Sequence, residues 1–267
     1  MSGSAQEPPA KPAHEKPAHD EQAVSPLFQV LLAIFLALAA LMLWRPSLAR
    51  AAVFPFVLSG YLISICLHEF GHAVAAYYCG DRTVRAKGYL TLNPLRYTNL
   101  QYSIILPLLF VVIGGVALPG AAVYIDRRLL RRWQDAFVSA AGPIATAIVL
   151  GLLLLVLKMG KGALMGAPVL HASIAYLAML QTMMLIFNLI PCPGLDGWGV
   201  VRYALPLALR NIGQRFAPIA PLILIAALFF VPDLSRSFWH AVFRICDAVG
   251  VDPRLAWLGF QLFQFWK

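Results

Sequence analysis

His68-Glu69-Phe70-Gly71-His72 lies inside a long apolar run. Phe54-Pro55-Phe56-Val57-Leu58-Ser59-Gly60-Tyr61-Leu62-Ile63-Ser64-Ile65-Cys66-Leu67 precedes it, and Ala73-Val74-Ala75-Ala76-Tyr77-Tyr78-Cys79 follows. On a helix, residues four apart differ by about 40° around the axis, so the two imidazoles point the same way one turn apart. That spacing suits two ligands of one metal ion. Glu69 stands one turn ahead of His72 and beside the ligand face. There a carboxylate takes a proton from a metal-activated water without binding the ion itself. Five residues can match a pattern by chance. These sit in a helix of membrane-spanning length, where a charge costs roughly 2.5–3.5 kcal/mol on insertion scales unless it pairs or binds something. A zinc site removes that cost.

Composition agrees with a membrane setting. Of 267 residues, 60% are hydrophobic and 12% charged, and mean hydropathy is +0.75. A soluble domain carries about twice that charged fraction. The net charge of +9 therefore reads as orientation and lipid contact, and no basic-aromatic interleaving points to nucleic acid. Cys66, Cys79, Cys192 and Cys246 are scattered without CxxC spacing, which fits neither a thiolate zinc site nor a disulfide framework.

In chain order, residues 1–24 are rich in Pro, Ala, Lys, Glu and His, and read as a disordered tail. Residues 26–44 form a first span. Residues 52–79 form the second and carry the histidines, ending at Gly80 as helix cap. His72 is then about 10 Å from that helix end at 1.5 Å per residue, near one face of the bilayer. Residues 83–100, through Gly88-Tyr89-Leu90-Thr91-Leu92-Asn93-Pro94, alternate enough to predict a short membrane-surface β-hairpin or strand. Residues 103–125 are apolar but broken by Pro107, Gly114-Gly115 and Pro119-Gly120. The basic stretch Asp126-Arg127-Arg128-Leu129-Leu130-Arg131-Arg132-Trp133 reads as a cytoplasmic interface. Spans follow at 136–158, 169–190 and 216–231, and residues 233–267 read as an amphipathic C-terminal segment lying along an interface. The fold class is thus an all-α polytopic membrane protein with about five to six transmembrane helices and a re-entrant segment, its membrane domain covering 25–232.

A catalytic zinc usually takes three protein ligands and keeps one position for water. Glu69 and Asp196 are the acids well inside apolar context, and Asp81, Asp126 and Asp135 read as loop or helix-edge residues. His171 lies at the far end of its helix from Asp196. Asp196 is therefore the third ligand by elimination, with Gly194 and Gly197 letting the backbone turn it inward. Its other use would be as a helix cap. Bringing Asp196 back to the face of His72 requires an even number of crossings between them. Three apolar segments intervene, so one must not cross, and 103–125 with its breaks is the segment expected to re-enter.

Together with His68-Glu69-Phe70-Gly71-His72, the later run Asn188-Leu189-Ile190-Pro191-Cys192-Pro193-Gly194-Leu195-Asp196-Gly197 resembles the site-2 protease family of intramembrane zinc metalloproteases. Gly88 to Pro94 and Ala141-Gly142-Pro143 are similar to segments of its small bacterial and archaeal branch, so the likeness covers about residues 52–202. The resemblance implies that His68, His72 and Asp196 bind Zn2+ and Glu69 activates water. It also places Asn188 near the substrate, and Asn93 with it in the surface segment. Relatives carry Asn where this chain has Thr146, and Lys where it has Leu118. No segment is long or polar enough for an inserted PDZ domain, and nothing after residue 232 reads as a nucleotide-sensing domain. Control of access then falls to loops, tails or a regulatory partner protein. The implied setting is the prokaryotic inner membrane, with the site near the cytoplasmic face.

The activity so implied is hydrolysis of a peptide bond in or near a transmembrane segment of a substrate protein. A substrate helix has no free carbonyl and must unwind first, and a surface strand at Leu90–Leu92 could pair with it. Two rival readings are a membrane metal-ion carrier and an inactive family member that binds helices as an adaptor. Glu69 separates them, because neither a carrier nor a binder needs a proton acceptor at that position.

Overall fold

The computed structural model describes residues 24–96 and 124–266. Helix α1 is Pro26–Trp44. The Ser25 hydroxyl accepts from the Phe28 amide at 3.2 Å, and Pro26 fills the first position, where no amide hydrogen is needed. Arg45 alone separates it from α2, Pro46–Cys79. Helix α2 begins before the expected residue 52 because Pro46 opens it in the same way. Its 34 residues make it about 51 Å long at 1.5 Å per residue, well beyond a ~30 Å hydrocarbon core. Gly80, with φ +121°, ends it as expected.

The chain then turns at Asp81, whose buried carboxylate accepts from the Thr83 amide and hydroxyl at 2.9 and 2.6 Å. Where the alternation predicts a hairpin or strand over 83–100, residues 83–96 are helical instead. Thr83–Ala86 is α3, and Tyr89–Thr91 and Pro94–Arg96 are 3₁₀ turns. Gly88 and Leu92 both take left-handed φ, 72° and 55°, which interrupts any extended run. Among the described residues there is no strand, so Leu90–Leu92 offers no edge for β-pairing. Residues 97–100, the tail up to residue 23, and all but the last two residues of the 103–125 segment lie outside the described residues.

After a 3₁₀ turn at Arg127–Leu129, α4 is Arg132–Met159, α5 is Lys161–Met165 and α6 is Pro168–Leu189. Helix α6 is apolar all round and is the buried centre of the molecule, with Leu177, Leu180, Met183, Met184 and Phe187 at its core. Without water to drive association inside lipid, close approach decides packing. A Cβ on Gly60 would meet Leu177 at 2.6 Å and Phe35 at 2.8 Å, so α1, α2 and α6 meet at that glycine.

The short α7, Asp196–Val201, follows the Pro191–Gly194 break. Then come α8, Leu207–Phe216, and α9, Ala220–Phe230, bent by 74°. The expected straight span at 216–231 is therefore an elbow. Pro218 and Pro221 cannot continue a helix, and α9 alone, at about 16 Å, is too short to cross. Among the described residues, four helices (α1, α2, α4 and α6) are long and apolar enough to cross a membrane, and the bent pair makes a fifth if taken as one span. The C-terminal residues form α10, Pro232–Val249, and α11, Pro253–Phe263. Phe238, Val242 and Cys246 of α10 join the buried core, while Asp233, Arg236, His240, Arg244 and Asp247 stay exposed. Gly259 packs α11 against the Ala172 carbonyl of α6, where a Cβ would lie 2.1 Å from the oxygen.

Candidate metal centre

The two histidines of α2 meet the first residue of α7. His68 Nε2 and His72 Nε2 are 3.2 Å apart. Asp196 Oδ2 lies 3.2 Å from His68 Nε2, and Oδ1 lies 3.3 Å from His72 Nε2. Tetrahedral ligands bound at about 2.0–2.1 Å sit about 3.3 Å from one another. The two imidazole nitrogens and the Asp196 carboxylate, with one oxygen facing each ring, thus lie at the spacing of ligands around one ion, and a further position remains for water or substrate. Both histidines are buried and Asp196 is partly so. Among the described residues this is the one cluster of three such side chains able to hold an ion.

Each ring is held from behind. His72 Nδ1 lies 2.7 Å from the Val138 carbonyl oxygen, which only accepts, so Nδ1 carries the proton and Nε2 keeps its lone pair. His68 Nδ1–H, with Nε2 likewise free for an ion, donates to Thr146 Oγ1 at 2.8 Å. Such outer contacts fix tautomer and orientation. Val138, Gly142 and Thr146 are spaced by four on one face of α4. A Cβ on Gly142 would lie 2.2 Å from His72 Nε2 and 2.6 Å from His68 Nε2, so only glycine leaves room there for an ion. Gly71 brings α2 in as closely, its Cβ position 2.7 Å from the Ala141 carbonyl.

Three glycines seat Asp196. Gly194 takes φ +92°, a conformation that side chains rarely adopt. Gly197 packs under the Leu189 and Ile190 carbonyls, at 2.3 and 2.6 Å from a Cβ position, and Gly199 packs on Ser139 of α4. Helix α7 is thereby pressed between α4 and the end of α6. Burial pushes the Cys192 thiol in this turn up from its ordinary value.

Glu69 is buried beside His68 in the same turn of α2. Asn188, in the last turn of α6, is also buried, and its Nδ2 has no hydrogen-bond partner among the described residues. The Asn93 Oδ1 accepts from the Leu95 amide at 3.0 Å, closing a local turn. Thr146, Val138, Gly142 and Asp135 take their places here through tertiary contacts. Their spacing along α4 beside Ala141-Gly142-Pro143 is the signal that marks three of them. Asp135, expected at a helix edge, is fully buried.

Comparison with known proteins gives the chain its family. The model of peptidase family M50 matches residues 56–166. Rip2 of Mycobacterium tuberculosis, named as a zinc metalloprotease, is 40% identical over 254 residues, covering 91% of this chain and 94% of its own. Rip2 of Mycolicibacterium smegmatis is 40% identical over 263 residues, covering 94% and 98%. YwhC of Bacillus subtilis, named likewise, is 30% identical over 195 residues, covering 70% and 86%. No solved structure matches the chain. Apolar helices around a buried His-His-Asp cluster and relatives aligned along nearly the whole length converge on one conclusion: the chain belongs to peptidase family M50, the site-2 proteases, and is an intramembrane zinc metalloprotease.

Proposed function

We propose that His68, His72 and Asp196 hold the catalytic zinc, and that the enzyme cleaves a peptide bond in or near a transmembrane segment of another membrane protein. The single observation that carries this is the 3.2–3.3 Å spacing of the two imidazole nitrogens from each other and of each from one carboxylate oxygen of Asp196. When bound, zinc supplies Lewis acidity for a scissile carbonyl and acidifies water toward a pKa of about 7. Glu69 accepts the proton of the attacking water and delivers it to the leaving amine. The unpartnered Asn188 Nδ2 donates to a carbonyl of the unwound substrate, a bond worth about 1 kcal/mol that a closed helix cannot offer. Thr146 and Val138 keep both imidazoles in register through the cycle.

The active site belongs on the cytoplasmic side. The Ser25 amide donates to the Thr91 carbonyl at 2.7 Å, and the Asp126 amide to Asp81 at 2.8 Å. The start of α1, the end of α2 and the approach to α4 therefore share one side. That side carries Arg82, Arg85, Lys87, Arg128, Arg131 and Arg132, against Arg45, Arg50, Lys158 and Lys161 at the other helix ends. The same 2.8 Å contact brings Asp126 back to the side that the chain leaves at Asp81. The protease domain spans residues 25–232, and the amphipathic pair after 232 is the natural place for a regulatory partner. The test is metal analysis of wild type and Glu69→Gln beside cleavage of a panel of single-span substrates. Zinc retained with turnover abolished supports the assignment. Residual cleavage by Glu69→Gln above one per cent of wild type would sink it.

A further inference from the structure

Beside the metal centre lies a charge cluster, built around the buried Asp135 and Arg202, that the hydrolytic reaction does not use. Asp135, in the first turn of α4, is fully buried. Its Oδ1 accepts from Arg127 Nη1 at 2.5 Å, and its Oδ2 accepts from Tyr203 Oη at 2.6 Å and from Arg202 Nη2. Arg127 Nη1 also donates to Ser139 Oγ at 3.2 Å, and Arg202 Nη2 to Tyr203 Oη at 3.1 Å. Arg210 of α8 joins through the Tyr203 and Leu205 carbonyls at 3.3 and 2.8 Å.

The cluster joins α4, which backs the two imidazoles, to the end of α7, which carries Asp196. Asp135 is three residues before Val138, whose carbonyl orients His72. Arg202 and Tyr203 directly follow α7, which begins at Asp196. Ser139, held by Arg127, is the residue against which Gly199 of α7 packs. Buried ion pairs seldom stabilise a fold better than apolar residues of the same volume, and their best-attested use is to fix register. Here the register is that of α7 on α4.

We propose that Asp135, through Arg202, Tyr203 and Arg127, is a positioning residue for the zinc site: it clamps α7 to α4 and so sets where the Asp196 carboxylate meets the two imidazoles. This rests on Asp196 being a ligand. The test uses the full chain in detergent micelles. It measures zinc affinity by competition with a chromophoric chelator, and the visible absorption of the cobalt(II)-substituted protein, which reports ligand geometry. Asp135→Asn should bind zinc about 10–100-fold more weakly, the range for lost outer-shell partners, with an altered cobalt spectrum. Tyr203→Phe, which removes one hydroxyl, should shift both in the same direction by less. Asp252→Asn is the control, a carboxylate that caps α11 at the Arg254 amide, outside the cluster, and it should leave affinity and spectrum as in wild type. Wild-type affinity and spectrum in Asp135→Asn and Tyr203→Phe would overturn the clamp, and Tyr203→Phe alone decides if Asp135→Asn does not fold. An equal loss in Asp252→Asn would also overturn it. Asp196→Ala separates the two claims: unchanged affinity there refutes Asp196 as ligand, whereas loss there with none in Asp135→Asn refutes only the clamp.

Discussion

Replacing Gly142 by alanine puts the structural argument under the greatest strain with the smallest change. The new methyl would stand 2.2 Å from His72 Nε2 and 2.6 Å from His68 Nε2. Non-bonded heavy atoms rest about 3.5 Å apart, so the overlaps are about 1.3 and 0.9 Å. Either α4 withdraws by roughly that distance or the rings rotate away. Withdrawal stretches the 2.7 Å bond to Val138 and the 2.8 Å bond to Thr146, and rotation destroys the donor triangle. Loss of the outer contacts alone is worth about 10–100-fold in metal affinity, and a methyl in the ion's own space adds to it, so at least 100-fold is expected. Stability behaves differently. Glycine to alanine inside a helix gains about 1 kcal/mol, while overpacking costs about 1–3 kcal/mol, so the metal-free protein changes by no more than about 2 kcal/mol. The assay is zinc competition beside thermal unfolding of the metal-free protein. Zinc binding within threefold of wild type would refute the placement of Gly142 over the imidazoles.

Thr146→Val keeps the shape of the side chain but removes the acceptor for His68, so zinc affinity should fall about 10-fold while Thr146→Ser restores it, as chelator competition will report. Asn188→Leu removes a buried amide that has no partner for its Nδ2. The fold should gain up to about 1–3 kcal/mol in unfolding assays, while cleavage falls at unchanged zinc content. Gly194→Ala, at φ +92°, should cost at least about 1–2 kcal/mol in thermal unfolding and weaken zinc retention with it, because it displaces the turn that seats Asp196.

What the sequence discloses and what it hides follow from the range of the forces involved. The His68–His72 pair is legible because its meaning is local: four residues on a helix face one way wherever that helix packs. The spans at 26–44 and 169–190 are legible for the same reason, and the helices fall within one residue of those bounds. Asp196 emerges by elimination because few acids occupy apolar surroundings, and the Gly194 conformation carries it inward as its position implies. Asp135 is hidden because its neighbours Arg131 and Arg132 make it look like a solvated helix end. Only tertiary contact with Arg202 and Tyr203, nearly seventy residues away, shows that it is buried. The segment 89–96 misleads because its alternation is local, while the left-handed backbone at Gly88 and Leu92 breaks the extended run. Hydropathy reads 216–231 as continuous, whereas Pro218 and Pro221 put an elbow before α9, and the bent pair counts as a span only if taken together.

The central claim concerns which atoms hold the ion, and zinc K-edge X-ray absorption on the purified full-length Glu69→Gln protein addresses those atoms directly. The account predicts a shell of nitrogen and oxygen at about 2.0–2.1 Å with the outer scattering of two imidazoles, and the loss of that pattern in His68→Ala. A sulfur shell at about 2.3 Å, drawn from Cys66, Cys79 or Cys192, or an imidazole pattern indifferent to His68, would contradict it.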